Sequence, residues 1–301
     1  MHPTLVDLEI GGWALHLSAY STMLVLAGIV GLATTTLVAG RLGVPQRRVL
    51  VLFAAVLGAG VVGARLFHAA TNLQLYGAEP ARLWALDATG FALYGGLVTG
   101  ALVGVGLARG MRLPTWRLAD ASAVGMGLGI AINRVGCFLQ GCCYGHPTTL
   151  PWGVVFPTGS PAWARQIVEG DPDVGGDGLL ANLLGSGTAL TNHPVQPTQL
   201  YELLAALAAV GLVVFLLRRT APAGVPFLGA ALCFTAFRMA NAQLRWIPTT
   251  LTAPNWFYPA FYLALLTLFA GLLVWRLAQT PIRAEDPALP APTVGRPAAL
   301  S

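Results

Sequence analysis

The chain has no lysine, and residues charged in either sense make up only 10% of its 301 positions. A soluble domain carries about 25% charged residues, so this sequence cannot supply the polar surface of a water-facing globule. Apolar residues reach 55% and the mean hydropathy is +0.68; the bilayer is the natural solvent for that excess. The net charge of +5 is carried entirely by arginine, without a basic run or an aromatic–basic alternation, which argues against a nucleic-acid partner. The first fourteen residues contain Asp7 and Glu9 but no basic residue, so the charged start of a signal peptide is missing. Cysteine is scarce too. Cys137, Cys142, Cys143 and Cys233 are too few in a chain this long for a disulfide scaffold. There is no Cys-x-x-Cys pair and no internal repeat.

Long apolar runs are what the chain does have. About 20 apolar residues are needed to cross a bilayer, and residues 15–38, 49–70, 89–108, 119–139, 199–217, 224–243 and 256–275 approach or meet that length. The expected fold is therefore an all-α polytopic membrane protein of about seven spans. Glycine is dense in spans two to four, where small residues let helices approach closely in lipid. With the N-terminus outside, eleven arginines fall in cytoplasmic segments and three in outer ones. That asymmetry predicts an outer N-terminus and a cytoplasmic C-terminus. Residues 1–280 are expected to form one membrane domain, with 281–301 a disordered cytoplasmic tail. Residues 140–198 are expected to form an outer cap between spans four and five.

A charge at membrane depth is costly, so Arg65 in span two, Arg134 in span four, Glu202 in span five and Arg238 in span six need partners. One reading is structural: ion pairs with Asp120, Glu202 or a helix carbonyl. The other is a ligand. Arg134 and Arg238 come from different helices, with Arg245 just beyond. The planar guanidinium fork suits phosphate, and in a cavity open to the outside that phosphate is a lipid headgroup.

Span four ends in Asn133-Arg134-Val135-Gly136-Cys137-Phe138-Leu139-Gln140-Gly141-Cys142-Cys143-Tyr144-Gly145-His146-Pro147. This stretch resembles the signature of bacterial prolipoprotein diacylglyceryl transferases, in a divergent Gly-Cys-Cys-Tyr-Gly form. Other segments follow in the family's order: His2-Pro3 and Tyr20, Gly63-Ala64-Arg65, Tyr94-Gly95-Gly96-Leu97, Pro151-Trp152-Gly153, Gln196-Pro197-Thr198-Gln199-Leu200-Tyr201-Glu202, and Arg238 with Arg245. The resemblance implies a multi-pass enzyme of the bacterial cytoplasmic (inner) membrane. It would transfer a diacylglyceryl group from phosphatidylglycerol to the lipobox cysteine of a prolipoprotein, among membrane lipids and without metal or soluble cofactor. It implies that Arg134 binds the phosphate, Arg238 stabilises the departing phosphate, and Tyr20 and Gln199 position substrate. Tyr94 and Cys142 stand at motif positions expected to be catalytic. Arg65, Cys137, Gln140, Gly145, Tyr201, Glu202 and Arg245 are expected to line the substrate site.

The departures fall on proton acceptors. Where the family has histidine this chain has Tyr94; where it has asparagine and glutamate, Cys137 and Cys142; and Phe234 and Ala242 replace a tyrosine and a glutamate. Cys137, Cys142 and Cys143 could be metal ligands, a redox pair, nucleophiles or small space-filling residues. The spacing, even with His146, matches no common zinc pattern, and adjacent cysteines rarely bond. Cys233 is expected in the core. Two alternatives therefore stay open: a non-catalytic phospholipid binder or transporter on the same fold, and a membrane thiol–disulfide protein using the three clustered cysteines.

Overall fold

The computed structural model describes residues 4–10, 13–71, 73–78, 80–84, 93–169, 193–246 and 256–279. The expected tail at 281–301 and the 170–192 part of the cap lie outside the described residues. Two antiparallel strands, β1 (Thr4–Ile10) and β2 (Trp13–Ser18), precede the first helix. Sequence reasoning placed the first span from residue 15 and missed this hairpin. The strand alternates Leu15, His16, Leu17, and Ser18 then starts the helix, its hydroxyl accepting from the Ser21 backbone N–H at 3.1 Å.

The helices follow as α1 (Ala19–Arg41), α2 (Gln46–Thr71), short α3 (Leu73–Ala78), α4 (Leu93–Gly110), α5 (Thr115–Gln140), α6 (Pro161–Glu169) in the cap, α7 (Thr198–Arg218), α8 (Val225–Leu244) and α9 (Phe257–Ala278). Among the described residues, six of these are long and apolar enough to cross a bilayer, and α4 contributes a shorter apolar helix. The seven segments read from the sequence therefore appear in order, each end displaced by a few residues. The chain is a polytopic membrane protein.

Helix α5 is central, packing on α1, α7 and α8; α9 leans on α8, and α4 on α2. At the α2–α4 crossing a Cβ on Gly95 would overlap the Gly63 carbonyl and the Phe67 side chain. Backbone contact of this kind replaces the hydrophobic drive that lipid removes. The outward faces are apolar: Leu24, Val25, Ile29, Leu57, Val61, Leu102 and Val274 are exposed, and α9 has no buried residue at all. Cys233, expected in the core, is exposed on α8; a thiol is apolar enough for the lipid face, and composition could not tell the two environments apart.

One end of the bundle is a cluster of Ala39, Val44, Val49, Leu52, Ala108, Leu113, Leu118 and Ala121. Asp120, a candidate partner for the membrane arginines, instead serves this end. Its oxygens accept from the backbone N–H groups of Gly224 (2.8 Å) and Phe227 (2.9 Å) at the start of α8. A helix start needs such acceptors, and burial makes them harder to replace. Asp120→Ala is expected to cost about 2 kcal/mol, seen as a lower melting temperature of the detergent-solubilised protein. Asp120→Asn, which keeps one acceptor, should fall between.

Candidate functional site

The opposite end gathers the C-terminal turns of α5 and α8 and the first turns of α7 and α1. Helix α7 begins directly after Pro197, which places Glu202 one turn inside the bundle. Its carboxylate is the junction of the site. Arg134 Nε from α5 lies 2.5 Å from Glu202 Oε2, and Arg238 Nη1 from α8 meets Oε1. Asn241, one turn beyond Arg238, donates its Nδ2–H to Glu202 Oε1 (3.0 Å) and to the Thr198 carbonyl (3.3 Å). The Glu202 side chain is 3% exposed, whereas Arg134 and Arg238 retain 17% and 22%. The carboxylate is sealed, whereas both arginine side chains keep some exposure.

That asymmetry decides what the centre can do. One carboxylate cannot neutralise two arginines, so the pair plus Glu202 keeps one positive charge. Each guanidinium has five N–H donors, and the carboxylate occupies few of them. Two cations held side by side by a shared anion leave N–H donors that the carboxylate does not use. The structural and ligand readings of these arginines are therefore not alternatives: the ion pair with Glu202 sets the spacing that a ligand would use.

The segment leaving α5 is irregular, and its buried backbone polar groups need partners. Gly141 ends the helix in a left-handed conformation (φ 73°), a region open to glycine. Gly145 N–H then donates to the Gln196 carbonyl, His146 N–H to Leu244, Gln196 N–H back to His146, and Trp246 N–H to Tyr144, at 2.8–3.2 Å. Residues 144–146 are thus a short strand between the chain entering α7 and the chain leaving α8, with Gly145 and Arg245 paired. A Cβ on Gly145 would overlap the Leu244 carbonyl, so glycine here serves chain packing rather than ligand approach. Thr198 Oγ1 donates to the Cys143 carbonyl (2.7 Å) and Gln199 Nε2 to the Cys142 carbonyl (2.6 Å). The cap sits on this crossing through its own core of Tyr144, Phe156, Ala162, Val195 and Trp246. Trp152 adds an indole N–H to the Tyr201 hydroxyl at 2.7 Å.

The remaining residues expected at the site divide. The Cys137 sulfur accepts from Arg134 Nη1 (3.6 Å), and Tyr20 stands where α1 meets α5 beside Gly136. Buried acceptors Gln140 Oε1, Gln199 Oε1, Asn133 Oδ1 and Asn241 Oδ1 have no hydrogen-bond donor among the described residues. Arg65 is directed elsewhere, donating to the Leu83 carbonyl. Tyr94 lies in α4, with its side chain outside the described residues. Asn241 and Thr198 were missed by sequence reasoning. Asn241 had a readable signal, a polar residue three positions after Arg238 in an apolar span.

The three thiols Cys137, Cys142 and Cys143 come within 4.8 Å of one another, without disulfides. Cys143 reaches this position with φ 62°, strained for a residue with a Cβ. Hydrogen bonds from Cys137 and Cys142 pull the Cys143 thiol well below its ordinary range, and Arg245 and Arg134 add to the effect.

The family model for prolipoprotein diacylglyceryl transferase matches residues 6–277. The chain belongs to that family. A phosphatidylglycerol–prolipoprotein diacylglyceryl transferase of Paenarthrobacter aurescens is 33% identical over 251 residues, 81% of this chain and 72% of that protein. One from Geobacter sulfurreducens is 31% identical, covering 69% of this chain and 70% of its own length. One from Synechococcus elongatus is 30% identical over 52% of each.

The shared carboxylate carries a thermodynamic consequence. Glu202→Gln leaves two half-buried guanidiniums facing each other without a counter-charge. It should destabilise the fold by about 2 kcal/mol, less than for a fully buried pair because both arginines keep some solvent. Adding Arg238→Met to Glu202→Gln should recover part of that loss, a non-additivity read from thermal unfolding of the two single variants and the double.

Proposed function

We propose that the clamp of Arg134 and Arg238 grips the phosphate of phosphatidylglycerol and that the chain transfers the diacylglyceryl group to the cysteine thiol of a prolipoprotein. The observation that carries this is the surplus positive charge on two partly open guanidiniums fixed by one sealed carboxylate. Family membership agrees with it. The thiolate attacks the methylene carbon of the diacylglyceryl group, a carbon–sulfur bond forms, and the carbon–oxygen bond to phosphate breaks. Glycerol phosphate leaves with the bonding electrons. Arg238 and Arg134 face the oxygen on which that charge builds, the kind of electrostatic help expected to dominate such a step.

The orphaned carboxamide oxygens of Gln199 and Asn241, whose amide nitrogens already bond within this centre, support the same ligand. Buried acceptors without donors call for a donor, and the glycerol headgroup brings two hydroxyls. The arginine asymmetry supports an outer N-terminus, so the site would open to the outer leaflet of the bacterial cytoplasmic membrane. There both the lipid and the membrane-anchored acceptor peptide are within reach.

Purified protein given phosphatidylglycerol and a lipobox peptide should release glycerol phosphate and yield thioether-linked peptide. Arg134→Ala and Arg238→Ala should each reduce kcat by about 10²–10³-fold. The lysine variants, which keep the charge and lose the fork, should retain more. Wild-type activity in both alanine variants would sink the assignment, and phosphatidylglycerol bound without turnover would mark a lipid binder instead.

A further inference from the structure

The proposed transfer needs a thiolate acceptor, and Tyr94, Cys137 and Cys142 stand where the family's pattern has proton acceptors. The described carboxylate at this centre, Glu202, has both oxygens held by guanidiniums. The His146 ring lies flat against Trp246, 14° from parallel with centroids 6.3 Å apart. Free cysteine is only a few per cent ionised at pH 7. A coordinated metal ion supplies a thiolate without a base.

We infer that Cys137, Cys142 and Cys143 form a three-thiolate zinc site, whose open fourth position takes the acceptor cysteine as a metal-bound thiolate. The proposal rests on the transferase reading and names how that site handles its sulfur substrate. Spacing along the chain argued against metal because two ligands are neighbours and the third is a turn away. The tertiary structure removes that objection. Gly141 turns the chain out of α5, Cys143 adopts a left-handed backbone, and the three sulfurs converge within 4.8 Å. Tetrahedral zinc with bonds of about 2.3 Å needs sulfurs about 3.8 Å apart, a small contraction of the cluster.

Three further features favour an ion. The Cys142 and Cys143 backbone is held by Gln199 and Thr198, so the ligands are positioned rather than mobile. Zinc with three thiolates carries one negative charge, and Arg134, which already donates to the Cys137 sulfur, and Arg245 offset it. Three protein ligands with one vacancy is also the stoichiometry of catalytic rather than structural zinc. A thiol entering that vacancy is deprotonated on coordination, and its proton leaves to solvent. The bound sulfur then forms the carbon–sulfur bond while glycerol phosphate departs into the arginine clamp. The cysteines stay thiolates throughout, and nothing is oxidised or reduced.

The test uses the full-length protein in detergent. Elemental analysis should find about one zinc per chain, and cobalt(II) exchanged for it should give thiolate-to-cobalt charge-transfer absorption that changes when lipobox peptide is added. Cys143→Ser should lose both the metal and that absorption, whereas Cys233→Ser, on the lipid face, should keep them. Chelation should slow transfer at pH 7 by about thirtyfold, the reciprocal of the free-thiol ionised fraction. That loss should vanish above pH 8.5, where the acceptor ionises unaided. A merely structural metal would not produce that pH profile. Wild-type protein that takes up neither zinc nor cobalt, or takes up copper(I) with no spectral response to peptide, overturns the proposal. So does transfer indifferent to chelation at pH 7. A chain that binds cobalt and responds to peptide, yet releases no glycerol phosphate, keeps the metal–thiol site and refutes the transferase reading instead.

Discussion

A carboxylate shared by two arginines inside an apolar bundle is the constraint from which this structure is built. Burying Glu202 alone, or either guanidinium alone, would be prohibitive. Burying them together is tolerable because the carboxylate is met by both guanidiniums and by the Asn241 amide. The bond also does mechanical work, tying α5, α7 and α8 together at one end of the bundle. Because one carboxylate faces two guanidiniums, the centre keeps a net positive charge. Stability and the proposed function thus draw on one interaction.

The same three helices force the chain between them to leave helical geometry without losing its hydrogen bonds. The 144–146 strand meets this requirement by pairing on one side with Gln196 and on the other with Leu244. Its cost is steric, met by Gly145, where no side chain fits. The cap core then covers the crossing. Irregular backbone is permitted here because its polar groups are paired within the protein, and the enclosure delivers Cys142 and Cys143 back over the end of their own helix.

Much of this was legible in advance for simple reasons. Runs of about 20 apolar residues in a chain nearly free of charge have few other meanings, so the spans could be read to within a few positions. Buried arginines are expensive enough to announce themselves, and their separation onto different helices suggested convergence. The partner of those arginines could not be chosen from the sequence. Asp120 and Glu202 look alike as letters, yet one starts α8 at the far end and the other sits in the centre. The hairpin was hidden because β2 runs directly into α1, so Leu15 and Leu17 read as the start of the span. Arg65, grouped with the others by charge, turned out to face the Leu83 carbonyl.

The division follows from what each level of description contains. Hydropathy is a property of the chain and a solvent, so the sequence alone determined a membrane bundle, its approximate spans and the unpaired burden of charge within them. Pairing depends on which helix ends share a side of the bundle and how far each is rotated, information that no single segment carries. Only the tertiary structure decided that Arg134 and Arg238 would share one carboxylate, that Asp120 would be a cap, and that three cysteines at unpromising spacing would bring their sulfurs together. Contacts between distant segments made those choices.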